Sequence, residues 1–384
     1  MPKQKIRARQ LDCEGACYPI ATLNGEEACT LWQHASTQFQ PSTGVAYGIW
    51  HYVHLSEDNE FLYNHGAEML TEIARFLRSR GDYSAATGKF GFYGVMGPDE
   101  FQVMVNHNSY TNYMAKMTFL YTIQVLKEMK STAPEQYAAL QAKTNVTEVE
   151  INEWKNAADQ TLLLQEANGL FEQHDGYFDL PHINVDQIPV EDFPLYSHWS
   201  YDRIYRNDMI KQPDVLMFQF LYNQQFSKAE KRVNYEYYEP RTIHESSLSP
   251  SVHSVLASEL GKHEEAFDFF GFATRMDLDN YNRNTREGLH TTSIAAAWVN
   301  IVYGFGGLRS DGPVLILNPT IPKKWNSYTF RVDYKQAIIE VHVEKTEAIF
   351  RVLNAETAAV MIYGKEETLD STAKCIAIPA EWQN

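Results

Sequence analysis

A change of rhythm constrains this chain most. Up to about residue 305 the apolar residues recur three or four apart, and from about residue 314 they alternate with polar ones. The first spacing places one face of a helix against a core, and the second places one face of a strand there. Residues 59–81 show the helical pattern well: Leu62, Met69, Leu70, Ile73, Phe76 and Leu77 mark one face, and Gly81 supplies a stop. Similar patterns predict helices over 110–129, 148–169, 214–222, 250–260, 263–273 and 291–302, with weaker ones over 16–33 and 45–54. That makes on the order of ten helices. Alternation at 328–332 and 337–343, broken by turn residues, predicts a small antiparallel sheet unit. Helices followed by strands imply two domains, with the border expected near residue 310: 1–309 helical and 310–384 β.

Charge narrows the function. The chain has 33 Lys and Arg against 49 Asp and Glu, a net charge of −16, and no basic run. A protein that binds by neutralising phosphates needs the opposite balance, so nucleic acid is not an expected partner. No stretch approaches the roughly 20 apolar residues of a membrane span, and the opening MPKQKIRARQ lacks the apolar centre of a secretory signal. A cytoplasmic location and no membrane partner are therefore expected. Cys13, Cys17, Cys29 and Cys375 are too few and too unevenly spaced for a disulfide framework. Cys13 and Cys17 lack the second pair that a zinc site uses, so no metal is expected. With 23 Tyr and 7 Trp the chain is rich in rings that pack into cores and also stack against sugars.

Four loops concentrate chemistry. In GFYGVMGPDEF, residues 91–101, glycines and Pro98 shape a loop that presents Asp99 and Glu100 just before a helical stretch. A carboxyl group among Phe92, Tyr93, Met96 and Phe101 is expected to resist ionisation, as a general acid must. Equally, Asp99 has the residue type and place to cap the next helix. In YYEPRTIHESSLSPSVHS, residues 237–254, Arg241, His244, Ser246, Ser247, Ser249 and His253 gather where Pro250 opens a helix. Hydroxyls, imidazole and free N–H groups there suit an oxyanion such as phosphate, and they suit an ordinary cap and turn as well. In NTREGLHTTS, residues 284–293, Arg286, Glu287 and His290 precede a helix of small residues. Lys211 and Gln212 stand beside Pro213, in a loop open to binding or to plain solvation. Together these groups describe a cleft that processes glycosides.

The strings GVMGPDEF, NHNSYTNYMAK, KQPDVLMF, YYEPRTIHESSLSPSVHS, RMDLDNYNRNTREGLHTTSIAAAW and VYGFGGLR resemble glycoside hydrolase family 65, the disaccharide phosphorylases, and most closely its maltose-acting branch. The resemblance implies an (α/α)6 barrel followed by a C-terminal antiparallel β-sandwich. It also implies inverting phosphorolysis of an α-glucosyl disaccharide, here maltose, with inorganic phosphate as co-substrate and no cofactor. Glu100 would then be the general acid. Ser246, Ser247 and His290 would hold phosphate, while Lys211, Gln212, Asp99, His244 and Glu239 would serve the sugar. Phosphate arrives already anionic, so the second carboxylate that an inverting hydrolase uses to activate water can be dispensed with. Hydrolases of the family keep such a base, and Glu239 could occupy that role, whereas the HESSLS string favours phosphorolysis. Family members carry an N-terminal β-sandwich and a barrel opening with a WDTE-like motif, which this sequence lacks. The chain is thus expected to begin at the barrel's third helix and to be active or inactive by itself. A homodimer, or a complementary N-terminal chain, is the expected partner.

Overall fold

A computed structural model describes residues 1–29, 33–281, 283 and 285–383. The chain divides into two compact units, Met1–Ala167 with Phe171–Asp179, and Asn168–Leu170 with Leu180–Asn384.

The first unit is built on helices Gln40–Ser56, Ala67–Arg80, Ser109–Thr132, Pro134–Thr144 and Glu148–Gln160. Helix Ala67–Arg80 turns Leu70, Ile73, Ala74, Phe76 and Leu77 fully inward. There they join a core with Phe90, Phe92, Phe119 and Trp154. Phe90 meets Phe92 and Phe119 edge-on at centroid separations of 5.7 and 6.0 Å. Each such side chain contributes about 1.5–3 kcal/mol of burial. Helix starts follow local chemistry. Asn108 accepts from the Thr111 N–H at 2.9 Å, and Thr147 with Glu150 forms a reciprocal cap. Arg75 bonds Glu150 at 2.7 Å and Glu72 at 3.2 Å, tying two of the helices together.

Near its start this unit departs from the sequence reading. Residues 16–29 form a loop instead of a helix, and 30–32 lie outside the described residues. The Glu27 carboxylate accepts the N–H groups of Ile20, Ala21 and Cys29, giving the backbone partners that a helix would otherwise supply. Gly15, at φ +69, passes so close to Glu72 that a Cβ would lie 2.1 Å from its carbonyl oxygen. The polar helix Pro2–Gln10, which buries only Ala8, shows no apolar rhythm and goes unpredicted. Cys13 and Cys17 are buried free thiols. Burial pushes the Cys17 thiol up to about 12, against the deprotonation that a metal demands.

The second unit contains helices Asp214–Leu221, Lys228–Tyr238, Ser249–Leu260, His263–Arg275 and Thr291–Val299. In Ser249–Leu260 every residue except Glu259 is buried, and Gly261 at φ +83 ends it. Glu259 reaches Arg309 at 2.8 Å and also pairs with Lys231.

The helices give way to strands after Asn300–Phe305. With β1 (Asp82–Tyr83) and β2 (Phe90–Gly91) forming a small ribbon in the first unit, the remaining strands are β3 (Leu315–Leu317), β4 (Ser327–Tyr334), β5 (Ala337–Glu344), β6 (Glu347–Val352), β7 (Ala358–Ile362), β8 (Lys365–Leu369) and β9 (Lys374–Ala377). They make two sheets, β4-β5-β6-β9 and β3-β7-β8. In the larger sheet Phe330, Val341 and Phe350 stand in register, as do Val332, Ile339 and Val352, and all six are buried. Pairing is antiparallel except between β3 and β7, which run parallel. The chain visits the other sheet between those two strands, and parallel pairing needs such a long return.

Candidate active site

In the first unit, the bridge between Val95 and Val105 closes the GVMGPDEF loop into a hairpin. Asp99 sits inside it, fully buried. Its Oδ1 accepts from the Phe101 N–H at 3.1 Å, and its Oδ2 accepts from Gln173 Nε2 at 2.8 Å. Beside it, Gln102 Oε1 and His174 Nε2 are 2.9 Å apart. Asp99 therefore braces the loop, and the neighbouring carboxyl, Glu100, is left half-buried beside it. Asp99 caps no helix: the next one starts ten residues later, under Asn108. Of the expected apolar wall, Phe92, Met96 and Phe101 are buried while Tyr93 is exposed. Gln173 and His174, in the irregular run after Gln160, escape sequence reasoning because nothing local marks a partner 74 residues away.

In the second unit the other candidates draw together around one turn. Helix Lys228–Tyr238 runs into the turn Glu239–Arg241, and the backbone then extends through Thr242. Ile210 pairs with Thr242 as a parallel bridge, its N–H donating to the Arg241 carbonyl at 3.0 Å. Asp208 reinforces this, accepting from Arg241 Nε at 2.8 Å and lying 2.8 Å from His182 Nδ1. The bridge brings the Lys211–Gln212 loop beside the His244–Ser247 loop. Lys211 lies 5.3 Å from the centre of the Tyr196 ring, and Gln212 is buried.

A cavity of about 550 Å³ opens at this turn. Glu239, His244 and Glu245 line it, with Asp186, Phe193, Tyr281 and Arg283 from two other segments. His244 adopts φ +54, and its Nδ1 is 3.2 Å from Ser249 Oγ at the start of helix Ser249–Leu260. Burial, then the neighbouring His253, holds the His244 imidazole well below its ordinary value, so it is neutral. Glu245 accepts from the Leu195 N–H. Burial pushes its carboxyl up to about 7, against the opposing pull of that N–H and of Lys211. Glu239 is also raised, first by burial and then by the negative charge of Glu265. Ser246 is buried, and its Oγ accepts from the Leu248 N–H at 3.1 Å, a turn contact that leaves its O–H able to donate. Ser247 is half-buried.

His290 opens helix Thr291–Val299 and bonds to Asp277. Arg286 is exposed, while the side chain of Glu287 and residues 282 and 284 lie outside the described residues. Asp277 and Glu245 are missing from the sequence-based candidates although both lie inside the diagnostic strings. Nothing in a string shows which acidic residue folds back onto its neighbours. Among the described residues, no group of three or more His, Cys, Asp or Glu could hold a metal ion. Among them, too, no helix is long and apolar enough to cross a membrane.

The family comparison decides what this assembly belongs to. Residues 1–299 match the family description "Glycosyl hydrolase family 65 central catalytic domain", and residues 308–369 match that family's C-terminal domain. The chain belongs to glycosyl hydrolase family 65. It is 39% identical over 368 residues to the alpha,alpha-trehalose phosphorylase of Thermoanaerobacter brockii, covering 95% of this chain and 48% of that one. It is 36% identical over 372 residues to the maltose phosphorylase of Bacillus subtilis, covering 97% and 48%. A solved structure described as "Putative kojibiose phosphorylase from human microbiome" superposes with a TM-score of 0.92 at 51% identity, covering 98% of this chain and 50% of that one. The family 65 architecture of (α/α)6-barrel helices followed by a C-terminal β part is therefore that of this chain. The chain spans about half the length of the curated relatives it matches.

Proposed function

We propose that this family 65 chain takes part in inverting phosphorolysis of an α-glucosyl disaccharide, giving β-glucose 1-phosphate and a free sugar, with residues 1–309 as its catalytic part and 310–384 as its β part. The carrying observation is the bridge that sets Lys211 and Gln212 beside the serine-bearing loop and the cavity lined by His244 and Glu245. Hydroxyls and the start of a long helix suit an anionic co-substrate, while Lys211 and Gln212 beside them suit the sugar. In this reading Glu100 protonates the glycosidic oxygen as the bond breaks, and phosphate, held by Ser246, Ser247 and His290, attacks the opposite face of the sugar. The brace on Asp99 steadies the loop that presents Glu100. Maltose is the first substrate to try. Trehalose and kojibiose follow directly, since relatives named for all three are similar to the chain.

A second reading rests on Glu239. It lines the cavity with a raised carboxyl, which suits a base activating water, and inverting hydrolysis would then replace phosphorolysis. The purified chain is incubated with each disaccharide with and without phosphate, and β-glucose 1-phosphate and free glucose are measured. Phosphorolysis predicts phosphate-dependent product, lost by a factor of about 10²–10⁴ in Glu100→Gln. Glucose released equally without phosphate, and lost in Glu239→Gln, would establish hydrolysis instead. A folded chain giving no product in either condition refutes activity for the chain by itself. The deciding arm then supplies the rest of the relatives' length as a second polypeptide.

A further inference from the structure

His290 is tied twice to one carboxylate. Asp277, in the turn that follows helix His263–Arg275, accepts the backbone N–H of His290 through Oδ2 at 2.7 Å and the ring Nδ1–H through Oδ1 at 2.6 Å. The two residues are thirteen apart, so the pair closes a loop whose Tyr281 and Arg283 line the cavity. Asp279, the next acidic residue, is engaged with Arg275 at 2.6 and 2.7 Å, which leaves Asp277 to His290.

We propose that Asp277 is a positioning residue for the co-substrate anion: it fixes the His290 ring so that Nε2, at the start of helix Thr291–Val299, is the nitrogen offered to an oxyanion of the phosphate class. The inference rests on the phosphorolysis reading above. A tie that only closed the loop would need the backbone hydrogen bond alone. The second oxygen adds a contact whose one effect is to set the ring's orientation and proton placement. An imidazole nitrogen facing a carboxylate at 2.6 Å must carry the proton, so the opposite nitrogen is the one left for a ligand. Phosphate oxygens act chiefly as acceptors at neutral pH. To donate to one, Nε2 must also be protonated, and the bound ring is then a cation between two anions. Both side chains are partly exposed, His290 at 21% and Asp277 at 12%, so the ring is reachable in its anchored position. The hydrogen bond from His290 also leads the causes that hold the Asp277 carboxyl below its ordinary value, so the anchor stays ionised at neutral pH.

The test uses the full chain labelled with ¹⁵N, with inorganic phosphate as the probe at pH 7. Long-range ¹H–¹⁵N spectra report which ring nitrogen of each histidine carries a proton, and His290→Ala identifies the signal to follow. The wild-type chain is expected to show protonated Nδ1 on His290 and a His290 signal that moves on adding phosphate. Asp277→Ala is expected to lose the fixed proton pattern and to bind phosphate about tenfold more weakly or worse, the scale seen when a histidine's carboxylate partner is removed. Asp277→Asn, nearly the same shape and still able to accept the backbone N–H, should keep the fold and yet weaken phosphate. Asp277→Glu should restore part of the affinity. Wild-type phosphate affinity in both Asp277→Ala and Asp277→Asn, or an unchanged His290 proton pattern in Asp277→Ala, overturns the proposal. A wild-type chain that binds no phosphate refutes the phosphorolysis reading instead, and the proton pattern of the variants still decides whether Asp277 sets the ring.

Discussion

Replacing Glu259 by Gln should be among the most damaging single changes to the second unit. Burial opposes ionisation of this carboxyl, but Arg309 and Lys231 outweigh it and hold the group down at about 2, from an ordinary 4.5. A lowering of that size corresponds to about 3 kcal/mol of stability at neutral pH. Burial pushes the Lys231 ammonium down from its ordinary value, so part of the gain is offset on the other partner. Removing the charge nevertheless leaves two covered cations facing an amide, a change of the kind that costs about 3–5 kcal/mol. Arg309 keeps the carbonyls of Tyr303 and Leu308, and Lys231 keeps Asn223, so the lower end of that range is expected. Urea unfolding followed by far-ultraviolet circular dichroism measures the difference. It should be about 3 kcal/mol at pH 7. Because the folded pKa is depressed, the wild-type advantage is present above pH 4.5 and is lost as pH falls through about 2. A difference below about 1 kcal/mol at pH 7, or one that stays constant from pH 7 to pH 3, would refute the reasoning.

Glu245 carries the opposite sign. Its folded-state carboxyl is raised from 4.5 to about 7, so the folded chain holds a proton that the unfolded chain has released, and stability should decline as pH rises through that window. Glu245→Gln should flatten this decline and be more stable than wild type at pH 8, by up to about 3 kcal/mol, as measured by unfolding at a series of pH values. At Gly307, φ is +60 and a Cβ would lie 2.2 Å from the carbonyl oxygen of Asn318. Gly307→Ala should therefore lose about 2–3 kcal/mol in the same unfolding assay, and an unchanged midpoint would disprove the close approach.

How much of this was legible in the sequence depends on whether the signal was local. Helix Ser249–Leu260 begins one residue before its predicted start, and Asp214–Leu221 ends one residue early, because apolar spacing and a proline at the start are local facts. Helix Lys228–Tyr238 goes unpredicted because the side chains it buries, Lys231, Asn234, Tyr235 and Tyr238, include no aliphatic residue to mark a period. Yet Ser227 and Glu230 form a reciprocal cap whose three-residue spacing is printed in the sequence. The helix predicted over 148–169 stops at Gln160, where Thr161 begins the run that carries Gln173 and His174 to the GVMGPDEF loop. Its leucines at 162–164 are half-buried in an irregular run, so their spacing does not mark a helix. The β3–β7 pairing is invisible for the same reason, since a parallel partner 45 residues away leaves no local mark.

The candidate site separates in the same way into what a string can state and what only folding can. Its strings supply every chemical type: a carboxyl pair at Asp99 and Glu100, a serine-bearing loop, two histidines and a lysine. They do not say which member braces and which one works. Burial makes that division at Asp99, whose two oxygens are both engaged by the protein, leaving Glu100 as the carboxyl with solvent access. At Asp277 and His290 both side chains are partly exposed, and the residue nearer solvent, His290, is held directly by a neighbour that gives it both carboxylate oxygens. A group that must meet a sugar or an anion needs this arrangement, because an acid or imidazole free to rotate would lose orientation when the ligand arrives. The bracing residues are therefore the ones whose replacement should alter binding with little change in direct contact.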